Sequence, residues 1–341
     1  MKCVKLVAPK KFEVGEMKEP TNKEGRILID VVKSGICGSD LHYFEIGGPN
    51  GLVMGHEFSG VVVGIGSSKV FKKGDRVTAL PISPCLECEP CKNGQIQYCL
   101  KTWDDALGLS LTNPGALSPR ISVREDMVVK IPDNVSDDEA AMVEPCAVAL
   151  HAADLGNIKV GDKVLIVGGG IIGLASAMFA KMDGASYVAL SETNPLRGEN
   201  ALKLGDVNEY LDATDKKFVE KCLSKTKGGF DVVIECCGNG PAVTSAIMAC
   251  KPGGKVILAG VSMKPIEIPT ILAVTHEVTL QGAIAYTKDE FETVIELMSN
   301  KKINAKKFKS GEVGFDKVQE SYEKLLSGKG NAVKILVDPK K

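Results

Sequence analysis

The sequence has no excess of either charge: 42 Lys and Arg stand against 43 Asp and Glu, a formal net charge of -1. No whole-protein field therefore favours a polyanion, and no basic stripe with interleaved aromatics is present, so nucleic acid is not an expected partner. No apolar run approaches the roughly 20 residues that a bilayer helix needs. The opening MKCVKLVAPKKF has no signal-peptide apolar core, so the expected setting is the cytoplasm, away from any membrane. Internal repeats and low-complexity tracts are missing. The 36 glycines show no collagen-like period, and 44% apolar with 25% charged residues excludes disorder.

What remains is 341 residues of ordinary globular composition, enough for about two domains at roughly 150 residues each. Residues 1 to about 130 carry short β-branched runs broken by Gly, Pro and Asn (RILIDVVKSG, GHEFSGVVVGIG, GDRVTALP), which read as a compact all-β unit. From Ser136 the pattern becomes helical. Ser136 and Glu139 form a capping box ahead of Ala140, Met142, Val143, Ala147 and Leu150, and Pro145 predicts a break at Glu144 and a second helix that carries Pro145 in its first turn. Beyond Gly161, strands KVLIV, SYVALS, FDVVIEC, GKVILAG and VTLQGAI alternate with helix-length segments, the signature of βαβ units and a parallel sheet. Two further helices and the strand AVKILV close the chain. The fold class is α/β, with boundaries set at 1–150, 151–285 and 286–341, the last segment returning to the first domain.

Gly168, Gly170 and Gly173 form GxGxxG directly after the strand VLIV and at the start of a helix. Glycines there permit a tight turn and close approach of a pyrophosphate to oriented backbone N–H groups. Glu192 stands 19 residues beyond Gly173, at the end of the next strand, where a carboxylate accepts hydrogen bonds from a ribose and repels the extra phosphate of NADP. NAD is therefore the expected cofactor. Ile172, Arg197 and Val261 complete the expected cofactor contacts, although an exposed helix arginine would also account for Arg197.

Cys85, Cys88, Cys91 and Cys99 form CxxCxxCx7C, four thiolates that can close around one tetrahedral zinc and leave no open position, so the site is expected to be structural. An iron-sulfur cluster is the rival, but the cysteine-proline arrangement of ferredoxins is missing. A second site is suggested by GICGSDLH, MGHE and VEPCAVALHA. Cys37, His56 and a carboxylate would give three ligands of S, N and O type and an open fourth position, the catalytic pattern. Each residue alone has a plainer explanation as a packed thiol or a structural imidazole; their fall in glycine-flanked turns of a dinucleotide-binding chain favours the site. Cys146, His151, His276 and the pair Cys236 and Cys237 are read as structural.

Together these motifs resemble the zinc-dependent medium-chain dehydrogenases over essentially the full length, most closely the branch of sorbitol, threonine and 2,3-butanediol dehydrogenases. The resemblance implies a GroES-like β-barrel catalytic domain, a Rossmann doubly wound parallel sheet, two zincs and one NAD per chain, and homodimers or homotetramers. It implies catalytic zinc on Cys37 and His56 with Glu57 or Glu144 as the remaining carboxylate. Ser39 and His42 match the hydroxyl and imidazole of a proton relay, Asp40 matches the carboxylate that orients the zinc-bound His, and Tyr43 matches a pocket residue of the polyol enzymes. Three features depart from the pattern: Gly115 to Arg120 replaces an Ala-Glu-Tyr type segment, the Cys37 to His56 interval is short, and Ala285 stands where polyol enzymes often carry arginine. The expected reaction is hydride transfer between a secondary alcohol, a polyol or vicinal diol, and NAD to give the ketone. A threonine or amino-alcohol dehydrogenase is the rival enzyme, and a non-catalytic NAD-binding zinc protein the rival from another class; retention of Ser39 and His42 counts against the latter.

Overall fold

The computed structural model describes residues 1–341. The chain divides into two compact units, one of Met1–Pro145, Tyr286–Gly328 and Lys334–Lys341, the other of Cys146–Ala285 and Lys329–Val333.

The first unit is built on a seven-stranded sheet. Its path runs through Lys309–Val313, Lys334–Val337, Arg26–Gly35, Glu57–Gly64, Arg76–Ala79 and Val128–Lys130, with Arg120–Arg124 also paired to Arg26–Gly35. All pairings are antiparallel except that of the first two strands. The register sets Gly35 opposite both Glu57 and Leu336, so that the strand of residues 26–35 lies between the strand that begins with Glu57 and the strand that carries Lys334. Beside the sheet, the rings of Phe12, Phe44 and Tyr322 pack with centroids 4.7 to 5.4 Å apart, which ties the helix Gly38–Ile46 to the C-terminal helix Val318–Leu326.

The Ser136 capping box forms as the sequence predicts: the hydroxyl accepts from Glu139 N–H while the Glu139 carboxylate accepts from Ser136 N–H at 3.0 Å. The second helix carries Pro145 in its first turn as expected, but the break falls before Val143 and not at Glu144. The short helix Asp137–Ala140 ends before it, and Val143–Gly156 then runs through Glu144 and Pro145 without interruption. Proline is tolerated there because a first-turn N–H has no intrahelical acceptor to lose.

The second unit carries a six-stranded, all-parallel sheet. Its order is Glu209–Asp212, Tyr187–Glu192, Lys163–Val167, Phe230–Glu235, Cys250–Leu258 and Thr279–Gly282. Numbered within the unit, this is 3-2-1-4-5-6, the doubly wound order whose direction reverses between the strands that end at Val167 and Glu235. Strands buried on both faces read as near-continuous apolar runs, as KVLIV and FDVVIE do. The helix Ile171–Met182 is equally apolar around its circumference and buries nine residues.

Candidate functional site

In the second unit, the glycine turn lies at that reversal. Gly168 adopts φ 106°, a region that disfavours side chains, and Gly170 caps the helix Ile171–Met182. A Cβ on Gly173 would lie 2.0 Å from the Gly168 carbonyl oxygen, so that position admits only glycine. Glu192, 8% exposed, ends the neighbouring strand. Its Oε2 accepts from Gly169 N–H at 2.9 Å and its Oε1 from the N–H groups of Thr193 and Asn194 at 2.8 and 3.0 Å. The carboxylate thus braces the glycine turn. Arg197 lies over the same turn, its Cβ 3.6 Å from where a Cβ on Gly169 would be, and its buried Nε has no partner. Ile172 follows in the helix, and the backbone of Val261 packs against Gly238. Sequence reasoning passed over Glu235. Its fully buried carboxylate accepts from Cys237 and Gly238 N–H at 2.7 and 2.9 Å, fixing the loop at the sheet's C-terminal edge.

In the first unit, the ligand atoms of Cys85, Cys88, Cys91 and Cys99 all lie within 4.8 Å of one another. Backbone N–H groups of Glu87 and Cys88 point at Cys85 Sγ from 3.5 and 3.4 Å, and those of Cys85 and Lys101 at Cys99 Sγ from 3.4 Å. These donors lower the Cys85 pKa to about 6, whereas burial raises Cys91 to about 12. Four clustered sulfurs with N–H donors that favour thiolate fit one tetrahedral zinc.

The remaining predicted residues gather around the N-terminus of the helix Gly38–Ile46. Cys37 is its N-cap residue, and Cys37 Sγ lies 3.1 Å from Ser39 Oγ. Ser39 is exposed, His42 and Tyr43 half-buried, Asp40 fully buried. His56 Nδ1 lies 3.4 Å from Asp40 Oδ1, so Nε2 is the nitrogen left for a metal. Burial acts to lower the His56 pKa, but Asp40 and Cys37 outweigh it and the pKa is raised well above the usual imidazole value. A thiol, an imidazole oriented by a carboxylate and further buried carboxylates form a donor set that fits zinc, although these groups lie less close together than the four cysteines.

Three side chains from the C-terminal segment, none of them singled out from sequence, complete this centre. Tyr322 OH donates to Asp40 Oδ2 at 3.3 Å, and Tyr286 OH to Glu144 Oε1 at 2.9 Å. Lys334 Nζ donates to Glu57 Oε1 and Oε2 at 2.8 and 2.6 Å and to the Ile36 carbonyl at 2.8 Å. Lys334 and Glu57 are both fully buried. Burial acts to lower the lysine pKa, but the Glu57 charge outweighs it. The Glu144 pKa is raised to about 7, first by burial, against the opposing His56 charge. A lysine in the middle of the apolar strand AVKILV was the one available sequence signal, since a buried cation demands an anion.

Residues 23–133 match the alcohol dehydrogenase GroES-like domain, and residues 172–300 the zinc-binding dehydrogenase family. D-xylulose reductase of Saccharomyces cerevisiae is 32% identical over 325 residues, covering 92% of this chain and 90% of that protein. The chain belongs to the zinc-dependent medium-chain alcohol dehydrogenases. D-xylulose reductase A of Aspergillus niger is likewise 32% identical, over 94% of this chain and 91% of that protein. The crystal structure of 2R,3R-butanediol dehydrogenase from Bacillus subtilis superposes with a TM-score of 0.88 at 31% identity and 99% coverage of both chains. The dehydrogenase is thus an oxidoreductase that uses zinc and a nicotinamide cofactor on a small-molecule alcohol, with a GroES-like unit and a Rossmann unit.

Proposed function

We propose that this dehydrogenase interconverts a polyol or vicinal diol with the corresponding ketone, using NAD and two zincs per chain. The observation that carries the reading is the 3.4 Å contact between Asp40 Oδ1 and Nδ1 of the buried His56, an imidazole that also interacts with the Cys37 thiol. The named activities of the xylulose reductase and butanediol dehydrogenase relatives, both at secondary carbinols, support the substrate class.

Cys37 and His56 would hold the catalytic zinc, with Glu57 or Glu144 as the third protein ligand; Cys85, Cys88, Cys91 and Cys99 would hold the structural one. Bound zinc and NAD supply a Lewis acid, which lets an alcohol lose its proton near neutral pH, and a hydride acceptor. The chain's own residues do the rest. Ser39 Oγ, exposed and next to Cys37 Sγ, takes the hydroxyl proton, and half-buried His42 on the same helix passes it to solvent. Tyr43, also on that helix, lines the pocket. In the other unit, Gly168, Gly170, Ile172 and Gly173 cradle the pyrophosphate, with Glu192 on the ribose and Arg197 and Val261 as flanking contacts. All eleven cysteines are free of disulfides, which supports a reducing, cytoplasmic setting, and the proposal includes assembly as a homodimer or homotetramer.

The test is a panel of polyols, vicinal diols and amino alcohols followed by NADH absorbance. Polyols or diols should give the highest kcat/KM; a preference for threonine-type amino alcohols would refute the substrate class.

A further inference from the structure

A cavity of about 320 Å³ opens in the first unit, and none of the residues that line it belongs to the zinc or dinucleotide sites. One wall is the loop that follows the strand Lys11–Glu16; the other is formed by residues 112–114 and 120–122. Both walls are held. Asn22 Oδ1 accepts from Gly66 N–H at 2.7 Å, and Met17 N–H donates to the Met1 carbonyl at 3.0 Å. A Cβ on Gly66 would lie 2.2 Å from the Lys23 carbonyl oxygen, so only a glycine lets the loop pack that closely. Arg120 joins the walls by donating to Glu19 of the loop and to Asp30 of the adjoining strand.

The charges of the lining do not balance. Lys18, Lys23, Arg26 and Arg120 stand against one acid, Glu19, and Arg120 takes that acid for itself. Lys18 and Lys23 are exposed and have no acidic partner. Arg26 is half-buried, and every acceptor it has is neutral: Nε donates to Ser122 Oγ at 3.0 Å, and Nη2 to Asn113 Oδ1 at 2.9 Å and to the Ser122 carbonyl. Nη1 keeps two donors for which the chain offers no acceptor. Asp105 makes no ion pair with this guanidinium; its Oδ1 accepts from Thr112 Oγ1 at 2.6 Å. Burial pulls the Arg26 pKa below its ordinary value, and the Asp105 charge opposes that only in part. A cation drawn out of water and held by neutral dipoles gains from an anion beside it.

The anion's chemistry follows from the count and the walls. A carboxylate cancels one of the three uncompensated charges. A phosphate monoester carries nearly two, with three oxygens that can meet a guanidinium and two ammonium groups together. Met17, Pro20, Pro114 and Ile121 add apolar wall that a bare inorganic ion would not use.

We propose that this cavity binds a small phosphate monoester, with Arg26 as the anchor of the phosphate and Lys18 and Lys23 flanking it.

The experiment is calorimetric titration of the zinc-loaded protein at saturating NADH, which fills the pyrophosphate turn. The titrants are glycerol 3-phosphate, inorganic phosphate and glycerol. The proteins are wild type, Arg26→Gln, Lys18→Gln/Lys23→Gln and, as a control with the same charge change elsewhere, Lys302→Gln/Lys306→Gln. Glycerol 3-phosphate should bind at one site per chain, more tightly than inorganic phosphate, and more weakly as salt rises. Arg26→Gln should weaken it about tenfold or more, and the Lys18 and Lys23 pair about fivefold, while the control pair changes it by less than about twofold. If Arg26→Gln does not fold, the exposed lysine pair decides. No saturable binding to wild type by about 10 mM, a level at which binding free energy is under about 3 kcal/mol, would overturn the proposal. So would affinity unchanged in the Arg26 and lysine variants, or tighter binding of inorganic phosphate than of the monoester.

Discussion

The hydroxyl of Tyr322 meets Asp40 Oδ2 at 3.3 Å, and the other oxygen of that carboxylate lies 3.4 Å from His56 Nδ1. A C-terminal tyrosine thereby holds a carboxylate that faces an imidazole 266 positions earlier in the sequence. Asp40→Asn should weaken zinc binding at the catalytic site about 10- to 100-fold, the usual range for losing the carboxylate behind a metal-bound histidine. Tyr322→Phe removes one hydrogen bond and keeps the ring packed on Phe12 and Phe44, so its cost should be near 1 kcal/mol, or about fivefold. Titration against a competing chelator measures both; equal effects, or none, would contradict the arrangement.

The two metal centres should fail in different ways. Cys37→Ser should lose about one zinc and nearly all turnover with little change in melting temperature, because the open site supplies chemistry. Cys88→Ser should first lower the melting temperature and promote aggregation, since part of a closed site's metal affinity is folding energy. Metal analysis beside calorimetry separates them. Normal turnover in Cys37→Ser would show that the sites have been exchanged.

Glu192, the proposed ribose contact, also braces the glycine turn through Gly169 N–H. Glu192→Ala should therefore do two things: shrink a preference for NAD over NADP of about a hundredfold, near 3 kcal/mol, and weaken NADH binding beyond the loss of the ribose contacts. The readouts are kcat/KM with each cofactor and an NADH fluorescence titration, with kcat at saturation little changed. A wild-type preference for NADP would refute this and point to Arg197 as a phosphate ligand.

An acid-sensitive clasp lies away from the chemistry. Glu312 accepts from Lys309 at 2.7 Å and pairs with Lys341 at 2.5 Å and Lys33 at 3.0 Å, and these partners, Lys309 first, hold its pKa down to about 2. A carboxyl with a depressed folded pKa adds stability above its unfolded value, near 4.3, and loses it as pH falls toward the folded value. With 18% of the side chain exposed, screening reduces the full shift to about 1 to 2 kcal/mol. Glu312→Gln should cost that much in urea denaturation at pH 7, and the gap to wild type should narrow from pH 5 to pH 3. A gap independent of pH would refute it.

Much of this was legible from local pattern. GxGxxG and Glu192 point to a dinucleotide turn because their chemistry is confined to one βαβ unit, and CxxCxxCx7C points to the thiol cluster because all four cysteines lie within 15 residues. Even the break near Pro145 was misplaced by only a few residues, since proline ends a helix solely where its N–H would have been used. Tyr286, Tyr322 and Lys334 were not legible. Their partners stand 142, 282 and 277 positions away, and only strand register and helix packing bring them together. For the same reason the sequence does not distinguish Glu57 from Glu144, whereas the structure pairs the first with Lys334 and the second with Tyr286.

The most direct test of the account is the rate of NADH formation from a vicinal diol before chelation, after removal of the more labile zinc, and after zinc is restored. Removal of about one zinc per chain should abolish turnover while the protein stays folded, and one equivalent of zinc should restore it. Undiminished turnover by the zinc-depleted protein would contradict a zinc-dependent alcohol oxidation centred on Cys37 and His56.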